Sequence, residues 1–320
     1  LKNFAAPWTN RDFNPFVPLN DYITLVIGMV KDNVPFDQIL YGDLLYVGQG
    51  VTPAPSVSSN AHYAALEQAM LAPGFNPNTI VPTTQSGTYG LPTGATAGAM
   101  TTRAAAEAFF IAGTNRAMFR FTLVNHMCMD MEQVHDTSII PDRIRQDVSR
   151  SPGGDSRVFL NNCIGCHAGM DPLAQAFAYY TYDDVAGRIV YTPGAVQAKY
   201  FNNDETFAEG FITPDDTWNN YWREGQNALL GWGAGAGTGN GAKSLGQELA
   251  GTQAFAECQV QKVFKTVCLR DPVDQTDRNQ VAAMTSTFRN NNYNLKQVFA
   301  ESAVYCMGNG RGPHTCKRQN

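Results

Sequence analysis

The chain has 320 residues, 43% of them apolar and only 16% charged, against roughly 25% charged in a typical soluble protein. That apolar content excludes wholesale disorder, and a net charge of −5 without any long Lys or Arg run argues against a nucleic-acid groove. No stretch approaches the roughly 18 uninterrupted apolar residues of a membrane span. In place of charge the chain carries 29 Gly and 17 Pro with much Ala, Asn and Thr, a mix that suits a loop-rich exported protein. It begins with Leu, as a chain does after an export signal is removed or its start is trimmed.

In chain order, residues 19–45 carry a helical apolar pattern broken at Pro35 and Gly42. Residues 47–102 shift to Gly, Pro, Ser, Thr and Ala, with turn signals at Tyr89-Gly90 and Pro92-Thr93-Gly94 and a short helix near 62–71. Such a stretch has no core of its own and should wrap over another. Residues 101–134 read as one or two helices, broken near Gly113-Thr114-Asn115. A second loop-rich stretch over 182–243 holds Trp218, Trp222 and Trp232. Its glycine-rich tail, Gly231 to Gly241, fails the phosphate-loop test because Ala242 separates Gly241 from Lys243, and reads as a flexible linker. The clearest helical block covers 255–269, 276–288 and 295–305, separated by Asp271-Pro272 and Asn290-Asn291-Asn292. The expected fold is mainly α with long irregular loops. It divides into a wrapping segment over 1–100, a cofactor-binding segment over 101–243 and a helical segment over 244–320.

Cys163-Ile164-Gly165-Cys166-His167 is the attachment signature of a c-type haem. Thiols three residues apart can both reach the haem vinyl groups, and the next residue then offers its imidazole to the iron. The rival readings are weaker. A dithiol redox pair belongs on a strand-to-helix junction of a βαβ unit, and half of a zinc site needs another close Cys or His pair; neither is present in the sequence. The expectation is one covalent haem c, with Cys163 and Cys166 as attachment points and His167 as proximal ligand.

The sixth ligand is more open. If 118–134 is one helix, Phe119, Leu123, Met127, Met131 and Val134 share an arc with His135, while His126 falls on the other side. His135 is therefore the first candidate for the distal side, followed by Met131 or Met127, then His126, His62 or His314. Met170 lies too near His167 to reach the opposite face, and the Met-rich stripe also reads as core filler. Arg143, Arg145, Arg150 and Arg157 precede the motif and could fork onto haem propionates or stand as solvated charge. Phe177, Tyr179 and Tyr180 follow it and are expected to wall the haem.

Five further cysteines remain: Cys128, Cys258, Cys268, Cys306 and Cys316. Cys258 and Cys268 stand about 15 Å apart along one helix and cannot bond to each other. Each should reach Cys128, Cys306 or Cys316, leaving one thiol over.

From Pro152-Gly153-Gly154-Asp155 through Met170-Asp171-Pro172-Leu173 to Tyr180, the chain resembles the haem segment of the large planctomycete-type cytochrome c families. The stretch from Leu245-Gly246-Gln247-Glu248-Leu249 through Phe255, Cys258 and Phe264 to Asp277 and Phe299 is similar to their small C-terminal helical domain, and Trp8-x-Asn10-Arg11-Asp12 and Pro35-Phe36-Asp37-Gln38 echo them more faintly. The resemblance implies a mostly helical exported haem protein. Ala174-Gln175 after the Pro-Leu pair and the Met-rich helix depart from that pattern.

Three readings follow. The first is a monohaem cytochrome passing single electrons outside the cytoplasm, in the periplasm, at the outer surface or beyond, to a partner protein. The second is a haem enzyme of peroxidase or oxidase type with an open distal site, where Glu132, His135 or His126 would serve as acid or base. The third is a haem-bearing subunit that assembles with copies of itself into a filament or array.

Overall fold

The first helix, α1 (Asp21–Asp32), starts where the Asn20 side chain accepts the backbone N–H of Ile23, and ends at Asn33 in the left-handed conformation, φ 56°. Every residue from Asp21 to Val30 is buried, so α1 is an interior helix covered on all sides. The structure is a computed structural model that describes residues 4, 18–111, 113–144, 156–201 and 211–308. Pro35 breaks the pattern as expected and leads into a 3-10 turn at Phe36–Leu40.

Strand β1 (Leu45–Gly48) pairs antiparallel with β2 (Ile80–Thr83), with Leu45 opposite Thr83. Helix α2 (Ala61–Leu71) lies between them in sequence, and the short α3 (Gln85–Tyr89) and then α4 (Arg103–Phe109) follow. The buried carboxylate of Asp21 ties these pieces to α1. It accepts the N–H groups of Arg103 (2.5 Å) and Ala104 (3.1 Å) at the start of α4, and the hydroxyl of Tyr89. Backbone donors at a helix N-terminus offset the cost of burying the charge.

Helix α5 (Arg116–Thr122) continues into a π-helical turn at Leu123–Met127 and stops at Cys128, φ 53°. The single helix expected over 118–134 is therefore cut short. The left-handed Cys128 turns the chain away, and its disulfide to Cys258 holds it there with the two Cα atoms 5.2 Å apart. Next come α6 (Ser156–Asn162) and α7 (Ile164–Ala174), the latter carrying the C-x-x-C-H motif. Strands β3 (Tyr180–Asp183) and β4 (Arg188–Tyr191) form a hairpin, and β5 (Thr217–Asn219) pairs with β6 (Thr238–Asn240).

The glycine-rich tail read as a flexible linker is instead a packed strap. A Cβ on Gly235 would stand 2.2 Å from Glu248 Oε2, one on Gly237 would stand 2.6 Å from Arg223 Cδ, and one on Gly239 would stand 2.9 Å from Trp218. These residues are glycine because the strap crosses an ion pair directly. Arg223 Nε donates to Glu248 Oε1 at 2.7 Å, its Nη2 to Oε2 at 2.8 Å and its Nη1 to the Gly233 carbonyl at 3.1 Å.

The C-terminal block follows the sequence pattern closely: α8 (Gly241–Ala250), α9 (Gln253–Cys268), α10 (Gln275–Asn290) and α11 (Leu295–Gly308). Thr252 and Asp274 cap α9 and α10 by accepting the N–H groups of Phe255 and Asp277. A second disulfide joins Cys268 to Cys306. Cys258 and Cys268 thus each reach across to another element, and Cys316 lies outside the described residues. One continuous apolar core runs from Phe4 to Cys306 and draws on all three sequence segments. Its ends meet: Phe36 N donates to Tyr293 O at 3.0 Å, and the rings of Phe4 and Phe299 are 5.9 Å apart. The described part is mostly helical, and no helix in it is long and apolar enough to cross a membrane.

Candidate cofactor site on the C-x-x-C-H helix

Cys163 stands at the N-cap of α7, where its carbonyl accepts the N–H groups of Cys166 (3.2 Å) and His167 (3.1 Å). This first turn brings both thiols and the imidazole together. Both cysteines are half-buried and neither is disulfide-bonded, although four other cysteines of the chain are. The Cys166 thiol points at the Met131 carbonyl, 3.5 Å away. Burial pushes that thiol up from its ordinary value, and the carboxylates of Glu132 and Asp130 and the neighbouring Cys163 add to the effect.

His167 is held from one side. Its Nδ1 lies 3.1 and 3.2 Å from the two carboxylate oxygens of Asp171, one turn further along α7 and fully buried. Since a carboxylate only accepts, Nδ1 is the donor in this contact. Nε2 has no hydrogen-bond partner among the described residues. Arg116 of α5 brings a guanidinium nitrogen to 3.8 Å from Asp171 Oδ2. The Phe159 ring is 6.0 Å from the imidazole, and Phe159 and Ile144 form a small apolar cluster of their own against Cys163 and Ile164.

The opposite face of α7 is closed. A Cβ on Gly165 would stand 2.3 Å from His135 Nε2, and one on Gly169 would stand 1.9 Å from Trp222 Nε1. Asp136 N donates to Gly165 O at 2.9 Å, and Gln226 donates to the His135 carbonyl. Gly165 lies about 160° around the helix from His167. A helix running to residue 134 would bring His135 onto the arc of Met127 and Met131; the helix ends at Met127, and His135 is exposed and packs on the back of the motif. Beyond it opens a cleft of about 650 Å³, lined among others by Asp136, Asp142, Tyr221, Arg223 and Glu224.

The remaining candidates divide between core and surface. His62 is buried and fully bonded, accepting Gly48 N at 3.0 Å and placing Nδ1 2.8 Å from the Pro53 carbonyl. His126 is enclosed by Tyr22 and Phe121, its Nε2 3.4 Å from the Tyr22 hydroxyl. Met127, Met131 and Met170 are buried. Arg143 lies over the Phe211 ring at 5.0 Å, while Arg145, Arg150 and His314 fall outside the described residues. Phe177 and Tyr180 sit in the main core: α7 ends before them, their rings pack on Phe110, and Tyr180 donates its hydroxyl to Ala95 O at 2.6 Å. Asn115 Nδ2 clamps both their carbonyls at 2.8 Å.

Sequence reasoning passed over Asp171. The signal was there, since His and Asp four residues apart share one helix face. No group of three or more His, Cys, Asp or Glu forms a metal site among the described residues. No protein-family model, curated protein or solved structure matches this chain.

Proposed function

We propose that the chain is an exported monohaem c-type cytochrome that passes single electrons. The observation that carries this reading is the first turn of α7, where two cysteines outside any disulfide precede a histidine whose Nδ1 is tied to a buried carboxylate. That donor set fits haem c. Cys163 and Cys166 can each add across a vinyl group, sulfur to one carbon and hydrogen to the other, with no net redox change. His167 Nε2 is left to ligate, and a metal-bound histidine commonly gives its other N–H to a carboxylate in this way. Ile144, Phe159 and Ile164 offer apolar surface beside the imidazole. When bound, the group supplies an iron that takes and gives one electron.

Two disulfides elsewhere in the chain agree with an oxidising compartment. A haem enzyme with an open sixth position is the second reading, favoured by one observation. His62 and His126 are committed to the core, and His135 lies against Gly165 on the back of α7, away from His167.

The test is production in a host able to mature c-type cytochromes, followed by a haem stain on a denaturing gel and absorption spectra before and after reduction and carbon monoxide. The expected result is one covalent haem, lost in the Cys163→Ala, Cys166→Ala double variant. A reduced spectrum indifferent to carbon monoxide supports electron transfer; rapid binding supports the enzyme. A folded product without haem overturns both.

A further inference from the structure

Asp171 is a costly residue to place where it is. Its side chain is fully buried, and a buried carboxylate is tolerated only when bonded and paired. Both oxygens face His167 Nδ1, at 3.1 and 3.2 Å, and the guanidinium of Arg116 approaches from α5 at 3.8 Å. The couple is built into one helix, so its geometry follows from the four-residue spacing and not from a loop. Orienting the ring alone would not need a charge. An asparagine at the same place would accept the same hydrogen bond, and a backbone carbonyl would serve as well.

We infer that Asp171 is a positioning residue that sets the reduction potential of the site, by drawing the Nδ1 proton of His167 toward its charge and making Nε2 a stronger donor to iron. The inference rests on the haem reading above. A stronger donor stabilises the ferric state over the ferrous one, so the carboxylate lowers the potential; a hydrogen bond from the other ring nitrogen of an iron-bound histidine to a carboxylate acts in this direction. With haem bound, a one-electron donor protein would reduce the ferric iron to ferrous with no atom gained or lost, and His167 would keep its hydrogen bond to Asp171 in both states.

The experiment compares the wild-type holoprotein with Asp171→Asn and Asp171→Glu by equilibrium titration against redox mediators, after a haem stain and circular dichroism have established that each is loaded and folded. Asp171→Asn is expected to shift the ferric–ferrous equilibrium toward ferrous by at least tenfold, about 59 mV for one electron. Asp171→Glu should return most of that shift. An Asn variant within twofold of wild type, with haem attached, overturns the inference and leaves the haem reading standing.

A second readout needs no variant. The donor strength of His167 in the wild-type protein is read by electron paramagnetic resonance, from the ferric g values, where the iron is six-coordinate, and by resonance Raman, from the ferrous iron–histidine stretch, where it is five-coordinate; both should report a stronger donor than a neutral imidazole. A value equal to that of the neutral imidazole complex overturns the inference even if Asp171→Asn does not fold. Wild-type protein without covalent haem overturns the parent reading itself.

Discussion

The indole of Trp222 occupies the place where a side chain on Gly169 would stand, its Nε1 1.9 Å from an ideal Cβ there. The Trp222 ring is fully buried against Phe119, with centroids 5.7 Å apart, and has nowhere to retreat. Gly169→Ala should therefore cost about 1–3 kcal/mol, the usual penalty for overfilling a packed site. Gly165→Ala meets the exposed His135 ring, which can swing into solvent, and should cost under about 1 kcal/mol. Urea midpoints of the two variants check the ranking, and equal losses would contradict it.

The two disulfides close loops of different length. Cys268–Cys306 spans 38 residues and Cys128–Cys258 spans 130. Loop-closure entropy assigns them about 4 and about 5 kcal/mol of stability. Serine replacement of each pair, followed by denaturant unfolding, should show both losses, the larger for Cys128–Cys258. That bond also pins the left-handed end of the π-helical turn, so its loss should loosen the segment leading to His135 and Gly165.

His126 and Lys262 give the fold a pH dependence in which each acts over its own range. Burial, then the nearby Lys262, holds the His126 imidazole well below 6.5. The unfolded chain takes up a proton as pH falls through 6.5 while the folded one does not, so stability is full above that pH and declines below it. Burial lowers Lys262 from 10.5 to about 7, where its ammonium donates to Asn125 O at 3.1 Å and lies 4.4 Å from the Phe4 ring centroid. The unfolded lysine keeps its proton to higher pH, so stability rises from about 7 upward. Melting temperatures across this range should climb in the wild type. His126→Gln should flatten the acid side, and Lys262→Met the alkaline side.

Asp277 is a hub beneath the last two helices. It accepts from Arg270 Nη2 at 2.9 Å, Val273 N at 3.0 Å and Tyr305 Oη at 2.8 Å. The Arg270 guanidinium holds its carboxyl well below the usual carboxylate range, so its contribution is present above pH 3.8 and is lost as the medium becomes more acidic. Asp277→Ala strands a partly buried guanidinium and should cost about 3–5 kcal/mol. Thermal unfolding at neutral pH checks this, and a loss below about 1 kcal/mol would contradict it.

Local signals carried much of this fold. Thr252 and Asp274 are capping residues in front of apolar repeats, and α9, α10 and α11 begin and end within three residues of the pattern. The C-x-x-C-H motif and the Asp171 spacing are equally local. What could not be read depends on partners distant in the chain. The helix after Arg116 stops at Cys128 because of a left-handed residue tied to Cys258; Cys128 is a candidate partner for Cys258 in the sequence, but nothing between 118 and 134 announces that it ends the helix. Glycine composition alone cannot separate a loose linker from a strap pressed onto Arg223 and Glu248. Phe177 and Tyr180 follow the motif at helical spacing, yet α7 ends at Ala174 and β3 turns them into the core.

The hydrogen bond from Phe36 to Tyr293 has a consequence for biosynthesis. A polypeptide emerging amino end first can close α1 against β1 and α4 early, but the edge of the core at Phe36 stays open until Tyr293 is made. Cys163 and Cys166 are made before that moment, ahead of Trp222 and Gln226 that close the back of their helix. The core is thus completed in two steps: the back of α7 is sealed once Trp222 and Gln226 have followed the motif, and the Phe36 edge closes only with the carboxyl-terminal helices.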